Sequence, residues 1–405
     1  MNRINRSEYL DFLCRSRDRK IIKVVSGVRR CGKSTLFEIY HDVLRADGVD
    51  ESQIISINFE DLAYEHLTHY RALYDYVQTR LQPDKMNYVF LDEIQHVGQF
   101  EKVVDSLFVQ PNVDIYITGS NAYFMSSELA TLLGGRYIEL KMLPLSFAEY
   151  CEGISLQGGE PMTNAQKYAA YLENSSFPYT LQLDGRRKDI QEYLSGLYNS
   201  ILLKDVVARL RISDVMMLES VVRFVFDNIG NILSLRKIAN TMTSEGRKID
   251  EKTVERYLRG LMESLLVYQA KRYSIKGKKL LALNEKYYVA DVGLRQFLFG
   301  GGSVDQGRVL ENIVYLELLR RGYNVSVGHM TDGEVDFVSQ DDDGITYYQV
   351  ALTVLDESTL RRELSSLEKI NDSYPKVLLT LDDIGAGTSH NGIKQVNVLH
   401  WLLSK

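Results

Sequence analysis

GVRRCGKS, the stretch that spans residues 27–34, decides the fold predicted for this chain. It matches the pattern G-x-x-x-x-G-K-[ST], in which glycines allow the backbone to fold around a phosphate and point its N–H groups inward. The apolar residues 21–25 predict a buried strand before it, and residues 33–44 predict a helix after it. Because the positive N-terminus of that helix faces the same anion, the stretch predicts a strand–loop–helix unit that binds nucleotide phosphates.

Each candidate residue of this loop has a chemical role. Gly27 and Gly32 let the backbone approach the phosphates. Thr35, the residue after Ser34, is a further candidate for nucleotide binding. Lys33 supplies a flexible positive charge, and the hydroxyl of Ser34 is a candidate ligand for Mg²⁺. The alternative, a chance glycine loop, is disfavoured by the strand and helix on either side. The predicted cofactors are therefore ATP and Mg²⁺.

A pair of acids ends a later apolar strand. Residues 88–93 read YVFLDE, which places Asp92 and Glu93 where the acidic pair of a phosphate-loop nucleotide site is expected. Asp92 is predicted to hold Mg²⁺, and Glu93 is predicted to accept a proton from the attacking water. The structural alternative is that both acids only cap the helix that follows them.

The next predicted strand, residues 114–118, also ends in polar residues. Asn121 is the candidate for orienting the attacking water or contacting the γ-phosphate, and Ser120 is the second candidate. Both residue types are also ordinary turn formers and helix caps, which is the structural alternative.

Strands and helices alternate along the first part of the chain, and this order predicts an α/β fold with a parallel sheet covered on both faces. The character of the sequence then changes several times. The predicted divisions are a nucleotide-binding core over residues 1–150, a helical lid or linker over 151–225, a small separate module over 226–295 and a further α/β domain over 296–405.

Composition bounds the function further. The chain has 405 residues, 45% of them hydrophobic, and a formal net charge of −6, so any nucleic-acid surface must be local. No apolar run is long enough to span a membrane, and we expect no membrane partner. The cysteines are far apart and form no disulfide framework, so a cytoplasmic location is expected. They are Cys14, Cys31 and Cys151.

The module after residue 225 has a helix–helix–hairpin pattern with a basic turn, which resembles a winged helix-turn-helix. The resemblance implies possible DNA contact through residues 230–285, and a protein-docking or structural role is the alternative. The predicted elements are helices over residues 234–239 and 249–261, strands over 266–270 and 280–283, and the basic turn over 276–279.

The order of phosphate loop, acid-ended strand and the strand tip ITGSN at residues 117–121 resembles the AAA superfamily. LGGRY at residues 133–137 and PLSF at 144–147 look like a prokaryotic AAA group that pairs its ATPase with a C-terminal domain of uncharacterised role. In AAA relatives an arginine at the position of Arg136 reaches the γ-phosphate of a neighbouring subunit. The resemblance thus implies a catalytic Arg136 and a homo-oligomer; an ordinary surface salt bridge is the alternative.

The last α/β segment carries its own polar pattern. Glu311 on a predicted helix, Asp336 on a strand and Gln349 on the next strand follow an order that resembles the restriction-endonuclease-like fold. Nucleases of that fold use a lysine two positions after the last of these groups, but Ala351 stands there, and we expect no other lysine nearby because the next one is Lys369. We therefore expect an inactive or strongly modified nuclease-like domain.

These patterns favour an Mg²⁺-dependent ATP hydrolase that acts as a switch or motor and couples its nucleotide state to a partner, with DNA as one candidate. The first alternative is an ATP-gated binding module with negligible turnover, against which Glu93 argues. The second alternative is an ATP-dependent nuclease, against which Ala351 argues.

Overall fold

The computed structural model describes residues 3–120, 133–158, 160–300 and 305–404. These residues divide into two compact units. The first unit comprises Met1–Pro144 with Glu263–Leu265, and the second comprises Leu145–Met262 with Leu266–Lys405. Within the described ranges, no helix combines the length and the apolar character that crossing a membrane requires.

A parallel sheet forms the centre of the first unit. In the described part of this unit the sheet has five strands in the order β2-β3-β4-β1-β5, with every neighbouring pair parallel. The predicted α/β class and parallel-sheet core are therefore confirmed. The strands are β1 (Ile22–Gly27), β2 (Ile54–Asn58), β3 (Asn87–Asp92), β4 (Val113–Gly119) and β5 (Tyr137–Met142).

Helices cover this sheet, and their apolar faces complete the core. β1, β3 and β4 are buried at every position, as expected of central strands covered on both faces. Leu73 and Leu107, which lie on two of the helices, belong to the same buried cluster as Ile117 of β4. The helices are α1 (Ser7–Ser16), α2 (Lys33–Ala46), α3 (Tyr70–Gln78) and α4 (Phe100–Val109).

The strand order places the candidate site. Because β1 lies beside β4, and β4 lies beside β3, the carboxyl ends of these parallel strands meet at one edge of the sheet. Ligands of open α/β sheets bind at this edge. The phosphate loop after β1 and the acids at the end of β3 therefore open onto the same space.

The second unit begins with helices, in the segment where the sequence predicts a helical lid or linker. Ser146 and Thr163 each form a capping box that starts a helix: the hydroxyl accepts a backbone N–H, while Glu149 or Gln166 bonds back to the cap. The helices are α5 (Phe147–Gln157), α6 (Asn164–Asn174), α7 (Arg187–Ser200), a π-helical turn (Ile201–Ala208) and α8 (Val215–Asp227).

A helix–helix–hairpin segment follows, with the same order of elements that the sequence predicts. The two strands of the hairpin are antiparallel. A short strand that precedes the two helices pairs with the second strand of the hairpin. The second strand of the hairpin is longer than predicted, because it pairs with the first strand of the hairpin and also with the short strand. The elements are β6 (Ile232–Leu233), α9 (Leu235–Ser244), α10 (Glu251–Glu263), β7 (Val267–Ser274) and β8 (Lys279–Val289).

The chain ends in strands that extend the hairpin into a larger sheet. β7 pairs in parallel with the first of these strands, so the hairpin and the C-terminal strands share one sheet. The elements are α11 (Val292–Phe299), α12 (Gln306–Arg320), β9 (Asn324–Met330), β10 (Gly333–Asp341), β11 (Gly344–Val350), α13 (Glu357–Glu368), β12 (Lys376–Thr380), β13 (Ser389–His390), β14 (Ile393–Asn397) and α14 (Val398–Leu403).

The order of this sheet, among the residues that the structure describes, is β13-β14-β12-β11-β10-β9-β7-β8-β6. β9, β10 and β11 form an antiparallel meander, and β12 then lies parallel to β11 after the crossover through α13. A helix, an antiparallel meander, a crossover helix and a parallel strand therefore follow one another from α12 to β12.

Candidate nucleotide-binding site

The two glycines of the phosphate loop are required for different reasons. Gly32 caps the start of α2 with a φ of 106°, a conformation that side chains with a Cβ rarely adopt. At Gly27 the limit is space, because a Cβ there would lie 2.5 Å from the carbonyl oxygen of Met142 and 2.7 Å from Sγ of Cys31. The loop therefore packs closely against the end of β5 and turns directly into α2.

Lys33 is buried at the first position of α2. Its Nζ donates a hydrogen bond to the carbonyl oxygen of Gly27 at 3.1 Å and lies 3.3 Å from Oε1 of Glu93. Burial disfavours the ammonium form, but the negative charges of Glu93 and Asp92 outweigh this effect and raise the pKa of Lys33. The side chain therefore stays positively charged at the place where the loop would hold phosphates.

Asp92 ends β3 beside the phosphate loop. Oγ1 of Thr118 donates a hydrogen bond to Oδ1 of Asp92, and the Ser34 hydroxyl is also hydrogen-bonded to this carboxyl. Burial raises the pKa of Asp92, and these two hydrogen bonds oppose the increase. Ser34 and Asp92, the two predicted metal ligands, are thus adjacent, and their oxygens suit a hard cation such as Mg²⁺.

Glu93 occupies an unusual backbone conformation directly after β3. Its φ of 54° lies in the left-handed region, and its N–H donates to Oγ1 of Thr118 at 2.9 Å. Burial opposes ionisation of its carboxyl, but the ammonium of Lys33 and the amide of Gln95 together lower the pKa of Glu93 to about 2. Glu93 is therefore a carboxylate at neutral pH, as a proton acceptor must be.

Thr118 is the residue of this site that sequence reasoning missed. It is fully buried near the end of β4, and its hydroxyl connects the Asp92 carboxyl with the Glu93 backbone. A polar residue near the carboxyl end of a predicted buried strand was the available signal. Ser120 is also buried. Asn121, the first candidate for this role, lies outside the described residues.

Arg136 lies just before β5, as predicted, and is held within its own chain. Its Nη2 is 2.7 Å from Oδ1 of Asp105, its Nε donates to the carbonyl oxygen of Leu133, and its guanidinium lies over the ring of Phe108. The side chain of Thr35 is exposed on α2. A role of Arg136 in a neighbouring subunit stays a prediction.

In the second unit, the neighbouring strands β10 and β11 bring together Asp336 and Gln349, two residues of the predicted nuclease-like motif. The N–H of Asp336 donates to Oε1 of Gln349, and Oδ1 of Asp336 lies 3.9 Å from Nζ of Lys286. The same Nζ donates to Glu311. The expectation that no lysine lies near these groups is therefore wrong. Lys286 was missed because it lies on β8, before the predicted motif begins.

Comparisons with known proteins bear on the family and the fold of this chain. Residues 19–151 match the model of an AAA domain, and residues 165–305 match a domain of unknown function, DUF8612. The Walker-type ATPase PABY2304 of Pyrococcus abyssi has a similar fold, with a TM-score of 0.52 and 19% identity over 73% of this chain and 96% of that one.

Two relatives have similar sequences along most of their length. An uncharacterized protein of Methanocaldococcus jannaschii, MJ1544, is 30% identical over 86% of this chain and 78% of its own. An uncharacterized protein of Haemophilus influenzae is 38% identical over 99% of this chain and 98% of its own. The chain therefore belongs to the same family as the Haemophilus influenzae protein, and its residues 19–151 match an AAA domain.

Proposed function

We propose that this protein hydrolyses ATP with Mg²⁺ and acts as a switch or motor that couples its nucleotide state to a partner. The observation that carries the proposal is the position of the Glu93 carboxylate, which lies 3.3 Å from the phosphate-binding Lys33 and is buried beside it. A proton acceptor and a phosphate-binding cation thus lie together at the carboxyl edge of the sheet, as phosphoryl transfer to water requires.

The residues have separate tasks in this reaction. The loop N–H groups and Lys33 hold the phosphates, while Ser34 and Asp92 would hold Mg²⁺, which neutralises phosphate charge when it is bound. Glu93 accepts a proton from water as the water oxygen bonds to the γ-phosphorus. The bond from that phosphorus to the β–γ bridging oxygen breaks, and ADP and phosphate result.

The contact between Lys33 and Glu93 also supports the proposed switch. Both side chains are almost fully buried and pair with each other. Phosphate oxygens compete for the same ammonium, so ATP binding would draw Lys33 away from Glu93. Because Glu93 sits in a left-handed conformation at the end of β3, release of its side chain is a local change that a partner can sense.

The test is ATP turnover in the full-length chain. We expect Lys33→Ala to lose ATP binding. We expect Glu93→Gln to bind ATP but to hydrolyse it at least about 100-fold more slowly than the wild type. The exposed residues Lys102 and Glu65 provide the matched controls Lys102→Ala and Glu65→Gln. Phosphate release that continues at the wild-type rate in both site variants would refute the proposal.

An ATP-gated binding module with negligible turnover is the second candidate. The observation in its favour is the 3.3 Å contact between Lys33 and Glu93, because the ammonium lowers the pKa of Glu93 and makes this carboxylate a weak base as long as the two are paired. Tight ATP binding without phosphate release by the wild-type chain, also in the presence of partners, would distinguish this candidate from a hydrolase.

DNA is the partner that we propose, through residues 230–285, and the hairpin of β7 and β8 is the part that favours it. Its tip is exposed and basic, whereas the exposed face of α10 mixes Glu251 and Glu255 with its basic residues. The tip residues are Lys276, Lys278 and Lys279. Replacing these lysines with alanine should weaken DNA binding and flatten the slope of log affinity against log salt by about 0.9 for each lost phosphate contact. An unchanged slope would exclude the hairpin.

A further inference from the structure

A lysine lies inside a group of carboxylates in the second unit. Nζ of Lys286 is 2.7 Å from Oε1 of Glu334, 2.9 Å from Oε1 of Glu311 and 3.9 Å from Oδ1 of Asp336. Only 4% of Lys286 is exposed, so these carboxylates replace the water that would otherwise solvate its ammonium. The hydroxyl of Tyr288 donates a further hydrogen bond to Oε1 of Glu311 at 2.6 Å.

Backbone and side-chain contacts hold the acids of this cluster in place. Oδ2 of Asp336 accepts the N–H of Val350 at 2.9 Å, and Gln349 joins Asp336 to Glu363 through a hydrogen bond at each end of its amide. Glu311 packs against Gly230, where a Cβ would lie 3.2 Å from Oε2 of Glu311. The carboxyl oxygens of Asp336 and Glu311 therefore have limited freedom to move.

The charges of the cluster depend on one another. Burial disfavours the ammonium of Lys286, but Glu311, Asp336 and Glu334 outweigh it and raise the pKa of this lysine. Burial and the neighbouring Glu311 raise the pKa of Asp336. The ammonium of Lys286 therefore balances part of the negative charge that this buried cluster carries.

The restriction-endonuclease-like resemblance would imply a divalent ion at this cluster. The oxygens of Glu334 and Glu311 instead lie 2.7 and 2.9 Å from Nζ of Lys286, the spacing of charge-assisted hydrogen bonds to an ammonium. The ammonium itself fills the point at which the oxygens converge. Among the described residues, no group of His, Cys, Asp or Glu side chains is arranged to hold a metal ion.

We propose that the Lys286 ammonium is a built-in cation that takes the place of a divalent metal ion between Glu311, Glu334 and Asp336. The carboxylates chemically suit a hard cation, but the tethered ammonium is always present at the site and needs no free ion. A cluster closed in this way is consistent with the inactive nuclease-like domain that Ala351 predicts.

Removing the ammonium should open the cluster to a metal. In Lys286→Met the side chain keeps a similar length but loses its charge, so the buried carboxylates lose their counter-ion. A divalent ion restores the balance, and the variant should therefore bind Mn²⁺. Lys279→Met is the matched control, because Lys279 lies on the same strand but is exposed.

The experiment measures Mn²⁺ binding to the nucleotide-free full-length chain by electron paramagnetic resonance. We expect Lys286→Met to bind one Mn²⁺ more than the wild type, at least about tenfold more tightly than any site in the Lys279→Met control. The additional ion should be lost again in the double variant with Asp336→Asn. A folded Lys286→Met protein that binds Mn²⁺ no better than the wild type would overturn the proposal.

A second comparison applies if Lys286→Met does not fold. Mn²⁺ titrations of the wild type and of Asp336→Asn should then coincide, because no ion binds between the acids while Lys286 is present. A wild-type Mn²⁺ site that disappears in Asp336→Asn would overturn the proposal. ATP turnover, measured on the same proteins, reports separately on the site in the first unit.

Discussion

Thr118 acts at the scale of a single residue, through one hydroxyl that connects both acids of the candidate site. The hydroxyl donates to Asp92 and accepts the backbone N–H of Glu93. Thr118→Val keeps the shape but leaves buried polar groups unpaired, at a cost of about 1–3 kcal/mol. We expect turnover to fall about tenfold or more while ATP affinity changes little, and Thr118→Ser to restore the rate. Equal rates for the threonine and valine proteins would show that this hydroxyl does not position the acids.

His41 makes the stability of the first unit depend on pH. Burial and the nearby Arg45 lower the pKa of His41 to about 4, and its ring packs edge-on against Phe90. The unfolded chain, with a histidine pKa of about 6.5, binds a proton that the folded chain resists, so stability is lost as the pH falls from 6.5 towards 4. Between pH 7 and pH 5 the wild type should lose about 2 kcal/mol more unfolding free energy than His41→Leu. Urea titrations at both pH values measure this difference, and parallel losses would contradict it.

At the scale of elements, Arg6 ties three parts of the first unit together. It precedes α1, and its guanidinium donates to the carbonyl oxygen of Cys31 in the phosphate loop at 3.0 Å and to that of Leu143 after β5 at 2.7 Å. Arg6→Met leaves two buried carbonyls without these donors, so we expect a loss of about 2–4 kcal/mol in unfolding free energy and weaker ATP binding. Arg3→Met is the control, since Arg3 is exposed in its ion pair with Glu38. Equal effects of the two substitutions on ATP affinity would exclude a specific role of Arg6 in the loop.

The sheet of the second unit shows at the same scale how local signals combine. The predicted strands that carry Asp336 and Gln349 correspond to β10 and β11. Their pairing with the hairpin through β7 and β9 had no local signal, because a parallel contact between distant strands depends on packing and not on a turn.

At the scale of the whole molecule, assembly is the property that Arg136 would decide. If Arg136 reaches the γ-phosphate of a neighbouring subunit, its contact with Asp105 must open on assembly. A mixture of Arg136→Ala and Lys33→Ala chains then contains interfaces with an intact lysine on one side and an intact arginine on the other. We expect the mixture to hydrolyse ATP faster than either variant alone. If two folded variants show no such gain, Arg136 has only the surface role seen within its own chain.

The sequence by itself determined the parts of this protein whose chemistry lies in consecutive residues. The phosphate loop at residues 27–34, the acids after β3 and the alternation of strands and helices are each readable locally, because backbone geometry and periodicity depend on near neighbours. These signals were sufficient for the fold class of the first unit and for the AAA domain that residues 19–151 match.

The tertiary structure alone decided which distant polar side chains meet. Thr118 lies beside Asp92 because β3 and β4 pair, Arg6 reaches the loop across 25 positions of sequence, and Lys286 enters a cluster whose motif starts 25 residues later. Buried polar groups must find partners wherever packing places them, and sequence spacing does not encode that choice. For this reason Lys286 was found on another strand, among the carboxylates of the predicted nuclease-like motif.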